Sequence, residues 1–411
     1  MKEKDRVIYL ADADAFFASV EETFHPEYKT VPMAVAGDPE TRRGIVLAKN
    51  PLAKKCGIKT AETIHSAKQK CPNLVLAPPR MHAYYAFCER INAIYEQYTD
   101  QVERFSVDES WLDVTGSLHL FGGDPVALAH EIRQRVEREI GITISIGISW
   151  NKIFAKLGSD LNKPNNICLI SRENYKEVAW RLPVGDLFSV GKTTADTLRK
   201  QFIQTIGELA AADAGMLRHN FGKMGDQLHL FANGLDTSPV ARVGEQEPVK
   251  SVGKGLTFRR DLETEHDIKT GISALADSVA ARLRKANMKC STVQLTIKNT
   301  ALQSIQRQKR TKQPTYLAAD IAQTAMEIIK ASWNLGKPIR MLTVTAQNLT
   351  PVDQATLQLS LFDEADDGKG KRTENLEKTL DSIRKRYGKH SIQPGVILKN
   401  DLGISEHDEE E

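Results

Sequence analysis

Three carboxylates at two distant places set the chemistry open to this chain. Asp108 and Glu109 are adjacent within residues 104–116, between an apolar approach at Phe105 and Val107 and a second apolar run, Trp111 to Val114, that ends at Gly116. Two short strand-like runs with acids at the turn between them predict a β-hairpin. Neighbouring residues on a strand point to opposite faces, so these acids meet only where a bend or bulge brings them together. Side by side they repel and lose water on their apolar flank, which makes a cation their natural counterpart. A third acid comes from the N-terminal strand-like run 6–12, which ends in Asp12 with Asp14 two residues on. These two share a strand face. Asp14 directly precedes the apolar-periodic run 15–24 and is expected to cap a helix there. Asp12, still within the strand, is expected to bind metal. Asp12, Asp108 and Glu109 make an oxygen-only set suited to Mg²⁺. Two such ions about 3.5–4 Å apart serve in-line phosphoryl transfer.

The elements around these acids carry a resemblance. Asp-Ala-Asp-Ala-Phe-Phe-Ala-Ser-Val-Glu (12–21) and Ser-Val-Asp-Glu-Ser-Trp-Leu-Asp-Val-Thr (106–115) stand in the order and at the separation found in the Y-family of translesion DNA polymerases. The chain resembles most its DNA polymerase IV branch, over nearly its whole length. The resemblance implies an α+β, multidomain right hand: a palm with an antiparallel sheet backed by helices, small fingers, a helical thumb and a β-α-β-β-α-β little finger. It places the palm at 1–17 and 77–166, the fingers at 18–76, the thumb at 167–238 and a linker at 239–248. The little finger follows at 249–350, and 351–411 forms an acidic tail.

The implied activity is template-directed addition of dNTPs to a primer 3′-hydroxyl, with low fidelity and low processivity, in damage tolerance. The implied cofactor is Mg²⁺, two ions during catalysis, with Mn²⁺ able to substitute. Asp12, Asp108 and Glu109 take the catalytic and metal-binding places, and Ala13 offers its main-chain oxygen. Phe17 matches the steric gate, an aromatic ring that rejects a ribose 2′-hydroxyl, while Phe16 is expected to turn inward. Lys163, Lys54 and Arg43 are the triphosphate-binding candidates. The resemblance departs in the fingers, where Ala48, Pro51 and Lys54 replace a hydroxyl residue, a Tyr and an Arg. Lys54 supplies charge but not a bidentate fork. Ile45 and Leu47 stand where smaller residues are frequent, which implies a tighter pocket around the nascent base pair.

Composition fits these expectations. With 411 residues the chain needs more than one core. Five scattered cysteines, none in a CxxC pair, argue against a zinc site or a disulfide framework. No apolar run approaches a membrane span and no signal-peptide core precedes the first strand. A cytosolic protein, working as a monomer and away from membranes, is expected. Net charge is only +3, but residues 250–312 hold 14 basic against five acidic side chains. Such a segment is the footprint of phosphate-backbone binding. Its DNA-binding candidates are Lys254, Arg259, Arg260, Arg307, Lys309 and Arg310. A helix–hairpin–helix-like stretch adds Gly191 and Lys192, at a helix start whose N–H groups suit a phosphate. Tyr84, Tyr85 and Phe87 are expected in the core, and Lys152 on a solvated helix face.

In the tail, Gln358-Leu-Ser-Leu-Phe362 is an apolar pentad in polar surroundings, as a docking peptide would be. It resembles the bacterial sliding-clamp motif, with Gln358, Leu359, Leu361 and Phe362 as the clamp-binding residues. Primer-template DNA, dNTP and a β-type sliding clamp are thus the expected partners. Two rivals remain. A palm-type nucleotidyl cyclase also uses hairpin acids, but needs neither the basic domain nor the pentad. A clamp-recruited DNA-binding protein with weak or no polymerase activity would keep both.

Overall fold

The computed structural model describes residues 5–38, 44–245, 248–355, 369–388, 391–398 and 400–404. The chain forms two compact units, one of residues 1–37 and 44–246, the other of residues 247–411 together with 38–43.

In the first unit a five-stranded sheet runs in the order β5-β6-β1-β7-β8. Its strands are β1 (Ile8–Ala13), β5 (Val102–Arg104), β6 (Glu109–Asp113), β7 (Ile144–Ser149) and β8 (Ile167–Leu169). Central β1 pairs antiparallel with both β6 and β7. Every β1 residue is buried, and its alternation sorts two faces. Tyr9, Ala11 and Ala13 join the main core with helices α4 (Met81–Tyr95) and α5 (Pro125–Ile140). Ile8 and Leu10 face the other way, toward Trp111 and Ala155. Asp12 continues that second face.

Helix α6 (Lys152–Asp160) crosses this face, capped by the Asn151 side chain, which accepts from Phe154 N at 2.8 Å. Gly147 of β7 permits the crossing: a Cβ there would lie 1.9 Å from the Ala155 carbonyl oxygen. Gly147→Ala is therefore expected to lift α6 and to cost about 1–3 kcal/mol of stability. Thermal unfolding together with the primer-extension rate checks this, since both should fall. Lys152 departs from expectation. It is buried, its ammonium pairs with Glu103 at 2.5 Å, and it lies over the Trp111 ring. The first turn of α6 is pressed against β5 and β6, a contact that spacing along the helix does not reveal.

A smaller sheet, β3-β2-β4, comprises β2 (Met33–Ala36), β3 (Val46–Lys49) and β4 (Val75–Ala77). Asn50 caps α2 (Pro51–Lys55), and Pro51 occupies its first position, where a missing N–H costs nothing. A helical region includes α8 (Lys192–Lys200), with Gly191 at its N-cap, and has its own core around Leu198, Leu209, Leu217 and Leu228.

The second unit is a four-stranded antiparallel sheet, β11-β10-β12-β9, with two long helices on one face. In chain order these are β9 (Ser251–Leu262), α12 (Glu265–Lys285), β10 (Met288–Asn299), β11 (Ser304–Thr315), α13 (Ala318–Ser332) and β12 (Ile339–Pro351). That is the β-α-β-β-α-β order read from the sequence. Within the acidic C-terminal segment, helix α14 (Lys369–Tyr387) and residues 391–398 and 400–404 fold onto this unit, with Ile397, Leu402 and Ile404 in its core. Arg284, on α12, is buried and forks Asp381 of α14 at 2.6 and 2.9 Å while also pairing with Glu377. No helix of the described residues is long and apolar enough to cross a membrane.

Candidate active site

Sheet register brings the acids together. Asp12 and Glu109 are direct partners across β1 and β6, so both project onto the face that α6 crosses. Asp108 lies in the turn just before β6; its backbone oxygen accepts from Ala13 N at 2.9 Å and its carboxylate from Ser106 Oγ. All three acids and Ala13 line one cavity of about 440 Å³ with Phe17, Leu47, Ala48, Lys49, Lys54, Asp160 and Lys163. Ile45 does not line it; it sits beside Thr63 and is exposed.

Two lysines hold the acids. Lys156 Nζ lies 2.7 Å from Glu109 Oε1, 3.3 Å from Asp12 Oδ2 and 2.8 Å from Asp160 Oδ2. Lys163 Nζ lies 2.5 Å from Asp12 Oδ2 and 2.9 Å from Asp160 Oδ1. Burial, reinforced by the neighbouring Asp12, pushes the Glu109 carboxyl up to about 7 against the pull of Lys156. Burial opposes the charge on both lysines, but their acidic partners outweigh it and hold both above the usual ammonium range. Burial likewise opposes ionisation of Asp160, and the two ammonium groups override it.

One ammonium spanning Asp12 and Glu109 marks a place between them that suits a cation, and the donors are all hard oxygens. The pair therefore fits a divalent ion. Asp108 lines the same cavity but is turned to Ser106, and among the described residues no three acids, histidines or cysteines converge into one cluster.

Asp14 does not cap helix α1 (Phe16–Phe24). Ala15 takes the cap position in the left-handed region, φ 49°. The Asp14 carboxylate instead accepts from Ser145 Oγ and from Asn165 N, both at 2.8 Å. It thereby pins the loop that carries Lys163 and so belongs to the site, as does Asp160. Asp160 could have been found from its i,i+4 spacing to Lys156 and i,i+3 spacing to Lys163. For Asp14, no local pattern announces a partner more than 130 residues away.

Phe16 is buried and Phe17 half-buried. The Phe17 ring stacks on Tyr84, 4.2 Å between centroids at 12°. Tyr84 donates to Glu21 at 2.7 Å, and Arg80 pairs with the same carboxylate. Phe87 is buried as expected, but Tyr85 is exposed. Arg43 and the pentad residues Gln358, Leu359, Leu361 and Phe362 lie outside the described residues.

The basic candidates of the second unit separate by strand alternation. Arg310 pairs with Thr292 on the open face, beside Gln294, Thr296, Thr343 and Thr345. Arg307 and Lys309 oppose Leu295 and Val293, whose side chains are in the core, so they project from the edge strand on the helix-covered side. Lys309 pairs there with Glu327 at 2.8 Å. Lys254 lines a cavity against α12 and α14. Arg259 donates its backbone N–H to Leu402. Arg260 is held by Asp267, at 2.9 and 3.0 Å, and by Asp401 at 2.7 Å. Gly191 and Lys192 are exposed at the start of α8, and Ser189 before them adopts φ 69°.

Comparison with known proteins agrees with this geometry. The impB/mucB/samB family model matches residues 11–160, and the model of that family's C-terminal domain matches residues 249–361. A DNA polymerase IV of Acetivibrio thermocellus is 45% identical, over 97% of this chain and 99% of that protein. A DNA polymerase IV of Clostridium kluyveri is 39% identical, over 96% and 98%. DNA polymerase IV 2 of Bacillus subtilis is 36% identical, over 95% and 94%. Among solved structures, a Y-family DNA polymerase chimera matches with a TM-score of 0.74 at 25% identity, over 84% of this chain and 99% of that one. With the acids paired across β1 and β6 and the β-α-β-β-α-β unit behind them in sequence, the chain belongs to the Y-family of translesion DNA polymerases, on its DNA polymerase IV branch.

Proposed function

We propose that this DNA-directed DNA polymerase works through two Mg²⁺ ions held by Asp12, Asp108, Glu109 and the Ala13 carbonyl. The observation that carries the reading is the Asp12–Glu109 pair, direct sheet partners bridged by a single ammonium. When bound, the ions lower the pKa of the primer 3′-hydroxyl and neutralise the triphosphate and the leaving pyrophosphate. The chain's own residues do the rest. Lys163 and Lys54 face the same cavity and offset triphosphate charge, and Arg43 is the third candidate for that role. Phe17, backed by Tyr84, presents a fixed ring under the sugar. The open sheet face of the second unit, rich in Thr and Gln and edged by Arg310, tracks the DNA backbone without reading bases. Gly191 and Lys192 supply a phosphate contact at a helix N-terminus.

The domain division follows the same reading: palm at 1–17 and 77–166, fingers at 18–76, thumb at 167–238, linker at 239–248, little finger at 249–350. Low processivity calls for an external tether, and the pentad 358–362 supplies one to a β-type sliding clamp. Leu361→Ala/Phe362→Ala is expected to abolish clamp-stimulated processivity and to leave unassisted incorporation unchanged. Comparing extension lengths with and without the clamp tests it.

Sugar selection tests the site as a whole. Phe17→Ala should raise the ratio of rNTP to dNTP incorporation about a hundredfold, since the excluded hydroxyl then meets open space. An unchanged ratio in single-nucleotide insertion assays would remove Phe17 from the sugar.

A further inference from the structure

Lys156 carries a consequence that nucleotide transfer itself does not require. Its ammonium sits between Asp12 and Glu109, where a bridging cation would sit, and reaches Asp160 at 2.8 Å without leaving its place on α6. The Asp12 and Glu109 side chains are only 7% and 15% exposed, whereas Asp160 is half exposed at the rim. Two acids so little hydrated cannot both stay charged without a counter-ion nearby. Lys156 supplies that charge to both acids at once, reinforced at Asp12 by Lys163, and one helical turn on it already touches a second carboxylate that can hold it.

We propose that Lys156 is the built-in counter-cation of the Asp12–Glu109 pair and that Asp160 is its alternative seat. Together they set the divalent-ion concentration at which the site fills. An arriving ion displaces the ammonium, and Asp160 stabilises it in the displaced position. Lys156 thus acts on the reaction only through the acids, as a positioning residue. This inference rests on the reading of Asp12 and Glu109 as metal ligands.

Mn²⁺ binding to the full-length protein, followed by electron paramagnetic resonance without DNA or nucleotide, separates the two. Wild type should show a site that Asp12→Asn abolishes. Lys156→Gln should bind Mn²⁺ about three- to tenfold more tightly, and Lys156→Arg should stay near wild type, because the charge is kept. Asp160→Asn should weaken binding about threefold, and lose most of that effect in the Lys156→Gln background. Unchanged or weaker binding by Lys156→Gln overturns the inference while leaving the metal reading intact. A full Asp160→Asn effect in the Lys156→Gln background overturns the role of Asp160 as a seat. If wild type has no Asp12-dependent site, both readings fail. Should Lys156→Gln not fold, Asp160→Asn alone still decides, since affinity equal to wild type contradicts the proposal.

Discussion

Glu109→Gln is expected to lower the nucleotide-insertion rate by about a thousandfold or more, with primer-template affinity within about twofold of wild type. The substitution keeps the shape of the side chain, so β6 stays paired with β1 and the loss is one of charge. Glu109 is the register partner of Asp12 and the shortest of the three carboxylate contacts to Lys156. Without its charge the Lys156 and Lys163 ammonium groups still neutralise Asp12, and the pair no longer offers a divalent ion two anionic groups. DNA affinity is spared because the DNA-binding candidates lie on α8 and in the second unit. Single-turnover insertion and equilibrium DNA binding, measured on the same preparation, check both halves.

The second large effect concerns the chain beyond the pentad. Arg284→Ala is expected to destabilise the second unit by about 3 kcal/mol or more, because it strands the buried Glu377 and leaves the partly exposed Asp381 without its fork. Arg284 is 6% exposed and joins α12 to α14 through Glu377 and Asp381. Glu377 also accepts from Ala318 N, at the first residue of α13, at 3.0 Å. One acid of the tail therefore satisfies a helix start in the body of the unit. Ile397, Leu402 and Ile404 add buried apolar surface worth about 1.5–3 kcal/mol each. Urea unfolding of the full chain should show an earlier transition for Arg284→Ala. A midpoint equal to wild type would mean that α14 is not bound as described.

The sequence carried the acids because they rest on short-range signals. Asp12 follows a run of strand residues, and Asp108-Glu109 sits at a turn between two short strand-like runs. The β-α-β-β-α-β order is the one the resemblance implies, and the basic strand Ser304–Thr315 carries no apolar alternation of its own. What stayed hidden depends on contacts between distant residues. Lys152 looks solvated by spacing, but Glu103 and Trp111 bury it. Asp14 sits where a helix cap belongs, yet Ser145 and Asn165 take its oxygens and Ala15 starts the helix. Arg260 reads as a free cation in a basic segment until Asp401, 141 residues away, meets it. The tail reads as polar and acidic because its apolar contacts are few and scattered. They count only once folded against α12.

Metal-dependent, templated synthesis by the paired acids is the central activity proposed for this chain. Primer extension with Mg²⁺, one dNTP at a time, on wild type and on Asp108→Ala/Glu109→Ala tests this most directly. Insertion of the template-matched dNTP by wild type, lost in the variant while primer-template binding persists, is the predicted result. No extension by folded wild type that still binds primer-template, or equal extension by the variant, would contradict it.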